Sequence, residues 1–281
     1  MKKSVFRRAA AAVAATTMAV GATIFGISSA TATPGDYVAF GDSFPANPGA
    51  TDAVNDLERI GRGGCPQSGQ NVGNHIAGQL GLNLKDYSCN GMVSYMPNTP
   101  ERTFLTQVDH AINQGDLQNA EFVTFFLGAN DAMQSFWAPN EIQDRLFIDN
   151  AKIAVDKVRS VSPDARILFV GYPEFISADP SHVACPINVG GFAPRIGAAP
   201  VKVYEDNLES RQYRASLETG TEFLHMKELA NVNVGMCGDE GRLVSAFIDD
   251  NVGEYNMPNH LTHTGSKFFA DHVVATYHTR W

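Results

Sequence analysis

Apolar and polar positions along the chain fall into short runs separated by longer periodic stretches. Residues 37–40 (YVAF), 122–128 (FVTFFLG) and 166–171 (RILFVG) are rich in Phe, Val and Ile and run into glycine, which predicts buried strands bounded by turns. Residues 84–88 (LKDYS) and 221–226 (TEFLHM) are weaker runs of the same kind. Helical spacing fills the intervals at 70–80, 103–113, 141–161, 202–218 and 265–279. Asn140 is a cap candidate for the third helix and Pro163 a stop. The last helix sets Phe268, Phe269, His272, Val273 and Thr276 roughly on one face. Strands alternating with helices imply parallel crossovers. The predicted fold is therefore a three-layer α/β/α sandwich around a five-stranded, mostly parallel sheet. In such sheets ligands bind beyond the carboxyl ends of the strands. The connection from 172 to 201 holds five prolines and no periodicity. Structureless connections of that length are uncommon unless they serve a site, so this one is read as a wall or lid.

Composition changes that picture mainly at the ends and at the surface. Lys2, Lys3, Arg7 and Arg8 precede an apolar stretch over 9–27 and the small residues Ala30-Thr31-Ala32. This is the pattern of a signal peptide over residues 1–32, cleaved after Ala32. A retained membrane anchor is the competing reading, and Arg7-Arg8 also fits twin-arginine export. Residues 33–281 suit one domain with a full core. Removing the basic leader leaves 17 basic against 30 acidic side chains, a net charge near −13. So acidic a surface repels nucleic acid and anionic lipid. Cys65, Cys89, Cys185 and Cys237 are an even set in an exported chain, which predicts two disulfides. Of the three pairings, Cys65–Cys89 with Cys185–Cys237 closes the shorter loops. No short Cys-x-x-Cys spacing suggests zinc.

Candidate chemistry sits where the strands end. The first strand runs into Gly41-Asp42-Ser43, and the third into Gly128-Ala129-Asn130-Asp131. Taken singly, each is also ordinary turn chemistry. A carboxamide at a strand end is nonetheless a good donor to an oxyanion. Gly91, just after the second strand, lets a backbone N–H approach a ligand closely. His263 precedes the last predicted helix.

The joint order is more specific. Gly-Asp-Ser after strand one, Gly after strand two, Gly-x-Asn-Asp after strand three and a His before the last helix resemble the four blocks of the SGNH (GDSL) hydrolase family, over residues 36–279. The Gly-x-Ser-x-Gly elbow of other hydrolases is absent around Ser43. The resemblance, to secreted bacterial esterases and lipases, implies a flavodoxin-like sheet and an acyl-enzyme mechanism. Ser43 would be the nucleophile. The N–H groups of Ser43 and Gly91 and the side chain of Asn130 would form the oxyanion hole. His263 would be the base, while Asp42 and Asp131 would be structural. The family's usual Asp-x-x-His reads His260-Leu261-Thr262-His263 here, with a histidine at the acid position. Three orienters for His263 stay open: a backbone carbonyl in a Ser–His dyad, a carboxylate such as Asp249, Asp250 or Glu254, or His260 itself. Metal binding by the two histidines lacks a third ligand.

The other histidines (His75, His110, His225, His272 and His278) read as core or surface residues, and His182 in the long connection is a minor candidate to reach a substrate. The expected function is a secreted or envelope-located carboxylic ester hydrolase without cofactor or metal. Its substrate would be a small-molecule, lipid or acylated-sugar ester, with no nucleic acid and no stable protein partner. An envelope acyltransferase with the same Ser/His chemistry and a non-catalytic envelope-binding protein are the alternatives. Loops 44–64, 92–102 and 172–201, with 136–139, are the expected pocket walls.

Overall fold

The computed structural model describes residues 34–49, 61–95, 102–135, 137–176, 181–230, 234–238, 241–250 and 252–281. The proposed signal segment, Phe136 and parts of the three expected wall loops (50–60, 96–101 and 177–180) lie outside them. Residues Pro34–Trp281 make one compact unit. Its centre is a five-stranded sheet of β1 (Asp36–Gly41), β2 (Asn83–Asp86), β3 (Ala120–Phe126), β4 (Arg166–Val170) and β5 (Glu222–Leu224). The order is β2-β1-β3-β4-β5 and every pairing is parallel.

The five runs read from the sequence are these five strands. Both faces of the sheet are covered, so the strands need apolar residues at successive positions rather than at alternate ones. Val38, Phe40, Val123, Phe125, Ile167 and Phe169 enter one core. That core also takes side chains from α3 (Phe104–Asn113) and α5 (Asn140–Val161). Tyr37, Ala39, Phe122, Leu168 and Val170 enter the other, with α2 (Val72–Leu80) and α8 (His263–Arg280). The helix α6 (Ala199–Thr219) lies at the margin, giving Ala215 to the first core and Leu208 to the second.

Among the described residues, three short helices escaped the periodicity: α1 (Ser43–Ala46), α4 (Ala129–Gln134) and α7 (Met226–Leu229). None is long enough to display a stripe. Two expected boundaries also move. Asn140 is the first residue of α5 and not its cap, a place taken by Pro139. The last helix begins at His263 rather than near Gly265, because the Thr262 side chain accepts from the Gly265 N–H at 2.9 Å and caps it. Its buried stripe is Gly265, Ser266, Phe269, Ala270, Val273 and Tyr277. Phe268 and His272 pair edge-on with each other at 4.4 Å between ring centroids.

The cysteines pair as Cys65–Cys89 and Cys185–Cys237, with Cα separations of 5.2 and 5.0 Å. The second bond pins the 172–201 connection. Two small ladders stiffen it further: Val183–Ala184 against Ile196–Gly197, and Ile187–Asn188 against Ile248–Asp249.

Candidate active site

The site forms where β1 and β3 end side by side. Gly41 has no alternative there: a Cβ would lie 2.6 Å from the Phe126 carbonyl oxygen and 2.3 Å from the Pro45 ring. The chain then turns at Asp42, whose buried carboxylate accepts from the Phe44 N–H at 3.0 Å and caps α1. The Tyr172 hydroxyl donates to the other carboxylate oxygen and accepts from the Ala129 N–H. One side chain thus fixes the serine turn to the loop after β3. Burial, only partly offset by these donors, pushes the Asp42 carboxyl up to about 6.

The loop after β2 turns at Gly91, where φ is +77°. The loop after β3 is stitched onto it. Asn130 Nδ2 donates to the Met92 carbonyl at 3.0 Å, while the Asp131 carboxylate accepts from the N–H groups of Ser94 (2.7 Å) and Tyr95 (3.1 Å). Burial pushes the Asp131 carboxyl up to about 7. Ser43, Asn90 and Asn130 line one cavity of about 530 Å3, and Gly91 lies in the turn immediately beyond Asn90. The rest of the lining is largely apolar, with Phe44, Met133, Phe175, Ile176, Leu208 and Phe247 among it. Phe175 and Ile176 come from the 172–201 connection, which is a wall of the cavity.

The histidine at Ser43 is His260. Its Nε2 lies 2.7 Å from Ser43 Oγ, and its Nδ1 lies 2.9 Å from the Pro258 carbonyl oxygen. A carbonyl can only accept, so Nδ1 carries the proton and Nε2 accepts from the serine hydroxyl. Burial holds the ring below its ordinary value, against a smaller opposite effect of the Pro258 carbonyl. It is therefore neutral at neutral pH and able to take a proton.

His263, the residue expected in that place, is elsewhere. Its Nδ1 lies 3.3 Å from a Glu254 carboxylate oxygen and its Nε2 lies 3.1 Å from Asn256 Oδ1. The reason is local. Residues 260–262 are not helical, and Thr262 is extended (φ −70°, ψ 170°). In an extended segment, residues three apart leave opposite sides of the chain. Leu261 is buried in the core between them. Two of the anticipated orienting devices do exist, on different histidines: a backbone carbonyl for His260, and a carboxylate, Glu254, for His263. Asp249 instead pairs with Arg242 and Asp250 accepts from the Gly190 N–H. With His260 in the histidine place of Asp-x-x-His, the acid position falls on Met257. The signal that would have found His260 is Thr262, a helix cap that puts His263 inside the helix.

A comparison with curated proteins finds no match. Among solved structures, phospholipase A1 from Streptomyces albidoflavus NA297 is similar over 86% of this chain and 99% of its own, with a TM-score of 0.58 at 16% identity. The extracellular lipase of Streptomyces rimosus matches over 86% and 99%, with a TM-score of 0.56 at 14% identity. The carbohydrate acetylesterase Est24 from Sinorhizobium meliloti matches over 88% and 100%, with a TM-score of 0.52 at 14% identity. At these identities the likeness is one of fold. The model of the GDSL-like lipase/acylhydrolase family matches residues 39–268, from the first strand into the last helix, and to that family this chain belongs.

Proposed function

We propose that this chain is an exported serine esterase that works through a Ser43–His260 dyad. The observation that carries it is the 2.7 Å approach of His260 Nε2 to Ser43 Oγ, with Nδ1 held by the Pro258 carbonyl. A serine hydroxyl is a poor nucleophile until a base takes its proton during attack. Ser43 Oγ bonds to the ester carbonyl carbon as its proton passes to His260 Nε2. The carbonyl oxygen becomes an oxyanion, received by the Ser43 and Gly91 N–H groups and by Asn130 Nδ2. The C–O bond to the alcohol then breaks, and the imidazolium protonates the departing oxygen. Water gives a proton to His260 Nε2 as it attacks the acyl-enzyme; the bond to Ser43 Oγ then breaks, the imidazolium returns the proton to Oγ, and the acid leaves. The Pro258 carbonyl keeps the tautomer correct throughout, the task a carboxylate performs in a triad.

The large apolar cavity favours an acyl chain over an acetyl group. Each methylene buried there contributes about 0.8 kcal/mol. On p-nitrophenyl esters, kcat/KM is expected to rise from acetyl to octanoyl. Ser43→Ala and His260→Ala are expected to lower kcat by about 10⁶ on every ester, as loss of the serine or the histidine of a triad does. Wild-type turnover by Ser43→Ala would sink the mechanism, and a preference for acetyl would sink the acyl-chain reading. Two disulfides support export, since such bonds persist in oxidising compartments. An exported chain with the intact mass of residues 33–281 is the expected product.

A further inference from the structure

The Pro258 carbonyl fixes which nitrogen of His260 carries the proton, but the hydrogen bonds at its two nitrogens lie on the ring edge and leave its faces unsupported. The faces of the ring are held by something else. Phe44, the residue directly after Ser43, stacks on the imidazole with ring centroids 4.6 Å apart and planes at 29°. Phe44 is buried and itself locked. Tyr172 and Phe175 meet it edge-on at 5.2 and 5.3 Å, and Phe126 lies tilted at 6.2 Å. Its backbone N–H is bound by the Asp42 carboxylate, which also receives the Tyr172 hydroxyl. Asp42, which makes no contact with His260 in these pairs, thus reaches the base through an aromatic relay.

We infer that Phe44 is a positioning residue for the His260 base, its stacked ring fixing the imidazole plane and shielding it from water where Nδ1 is held by a backbone carbonyl and not by a carboxylate. The inference rests on the Ser43–His260 reading. Aromatic pairs prefer defined offset or edge geometries, so the stack restricts tilt in a way an aliphatic neighbour does not. When Nε2 takes the serine proton, the ring that must stay in plane is covered on one face by Phe44. Before that step the same cover excludes water, and burial is the first cause of the ring's lowered proton affinity. Among the described residues, several charged and titratable groups lie around it. Asp42 and Tyr172 lie behind Phe44, and Tyr204, Glu205, Glu209 and Lys227 line the cavity, while Glu254 and His263 face each other. Burial is the larger influence on the ring, and the Pro258 carbonyl opposes it.

The test compares Phe44→Leu, Phe44→Ala and Phe44→Tyr on a soluble short-chain ester. A misplaced catalytic group costs up to about 100-fold. Phe44→Leu, apolar but without a π face, is expected to lower kcat about 10- to 100-fold with KM little changed. Phe44→Tyr restores most of that loss. Phe44→Ala admits water, so its acid limb in the kcat/KM profile moves up in pH towards the ordinary histidine value. A proton NMR titration of the His260 ring, in Ser43→Ala with and without Phe44→Ala, reads the same rise in folded, inactive protein and covers a variant too unstable for kinetics. Equal kcat in Phe44→Leu and wild type, or a loss confined to KM with an unmoved acid limb and unmoved ring titration, would overturn the inference. His260→Ala separates the two levels. Full turnover there defeats the dyad itself, whereas its loss beside a neutral Phe44→Leu defeats only the role of Phe44.

Discussion

His260 and His263 differ in what the backbone does between them. His260 ends the segment that meets Ser43, and His263 begins a helix and braces the segment before it. The His263 ring touches Asn256, whose Nδ2 donates to the Asn47 carbonyl beside the serine helix. Asn47 Nδ2 in turn donates to the Leu261 carbonyl. His263→Ala should therefore keep kcat within about threefold of wild type, whereas His260→Ala loses about 10⁶. Parallel kcat measurements check this, and equal damage from both variants would return the base to doubt. The sequence showed both histidines and the serine turn, but the family's spacing put the base at His263, whereas His260 is the histidine that meets Ser43. The choice depends on where the last helix starts, and helix ends are the least legible part of a periodic pattern. Phe44 was equally invisible as a partner of His260, because 216 residues separate the two rings that stack.

At the scale of elements, the strands were legible because each is a short apolar run that a two-sided sheet demands. What was not legible is the ribbon that backs His260. Residues 242–246 carry no strand pattern, yet they hold 260–262 in place. The Ser245 N–H donates to the His260 carbonyl at 3.0 Å, the Thr262 N–H to Leu243 at 2.9 Å, and Val244 bridges Leu261. The ribbon is fastened by Arg242, a fully buried cation whose two terminal nitrogens reach the Asp249 carboxylate at 2.7 and 2.6 Å. Such pairing depends on tertiary contact between polar residues, which hydrophobic periodicity does not record. Breaking a buried ion pair by removing one partner costs about 3–5 kcal/mol. Asp249→Asn, which keeps the shape and loses the charge, should lower unfolding free energy in urea by about 3 kcal/mol. It should also reduce kcat, because the ribbon positions His260. An unchanged urea midpoint would mean that the ion pair does not fasten the ribbon.

Across the whole molecule, the site is bought with buried carboxylates. Asp42, Asp131 and Glu205 each hold a loop by accepting backbone N–H groups, and burial raises all three. Glu205, on α6, is the extreme case. One of its oxygens accepts from the N–H groups of Phe175 and Ile176, both at 3.1 Å, and so ties the cavity wall to the helix. Burial pushes its carboxyl up to about 8, against the pull of Lys227 and Lys202. In the unfolded chain the same group titrates near 4.3. Between those values the folded protein keeps a proton that the unfolded chain has released. Its contribution to stability is therefore complete below about pH 4 and is lost as pH rises towards 8. Each pH unit across that window is worth up to about 1.4 kcal/mol. Glu205→Gln keeps the accepting oxygen and has no proton to lose. Its unfolding free energy relative to wild type should be about level at pH 4 to 5 and should rise by at least about 1 kcal/mol by pH 8. Urea midpoints of the two proteins at pH 5 and pH 8 measure that difference directly, and a gap that stays constant with pH would show that Glu205 is ionised in the folded state throughout.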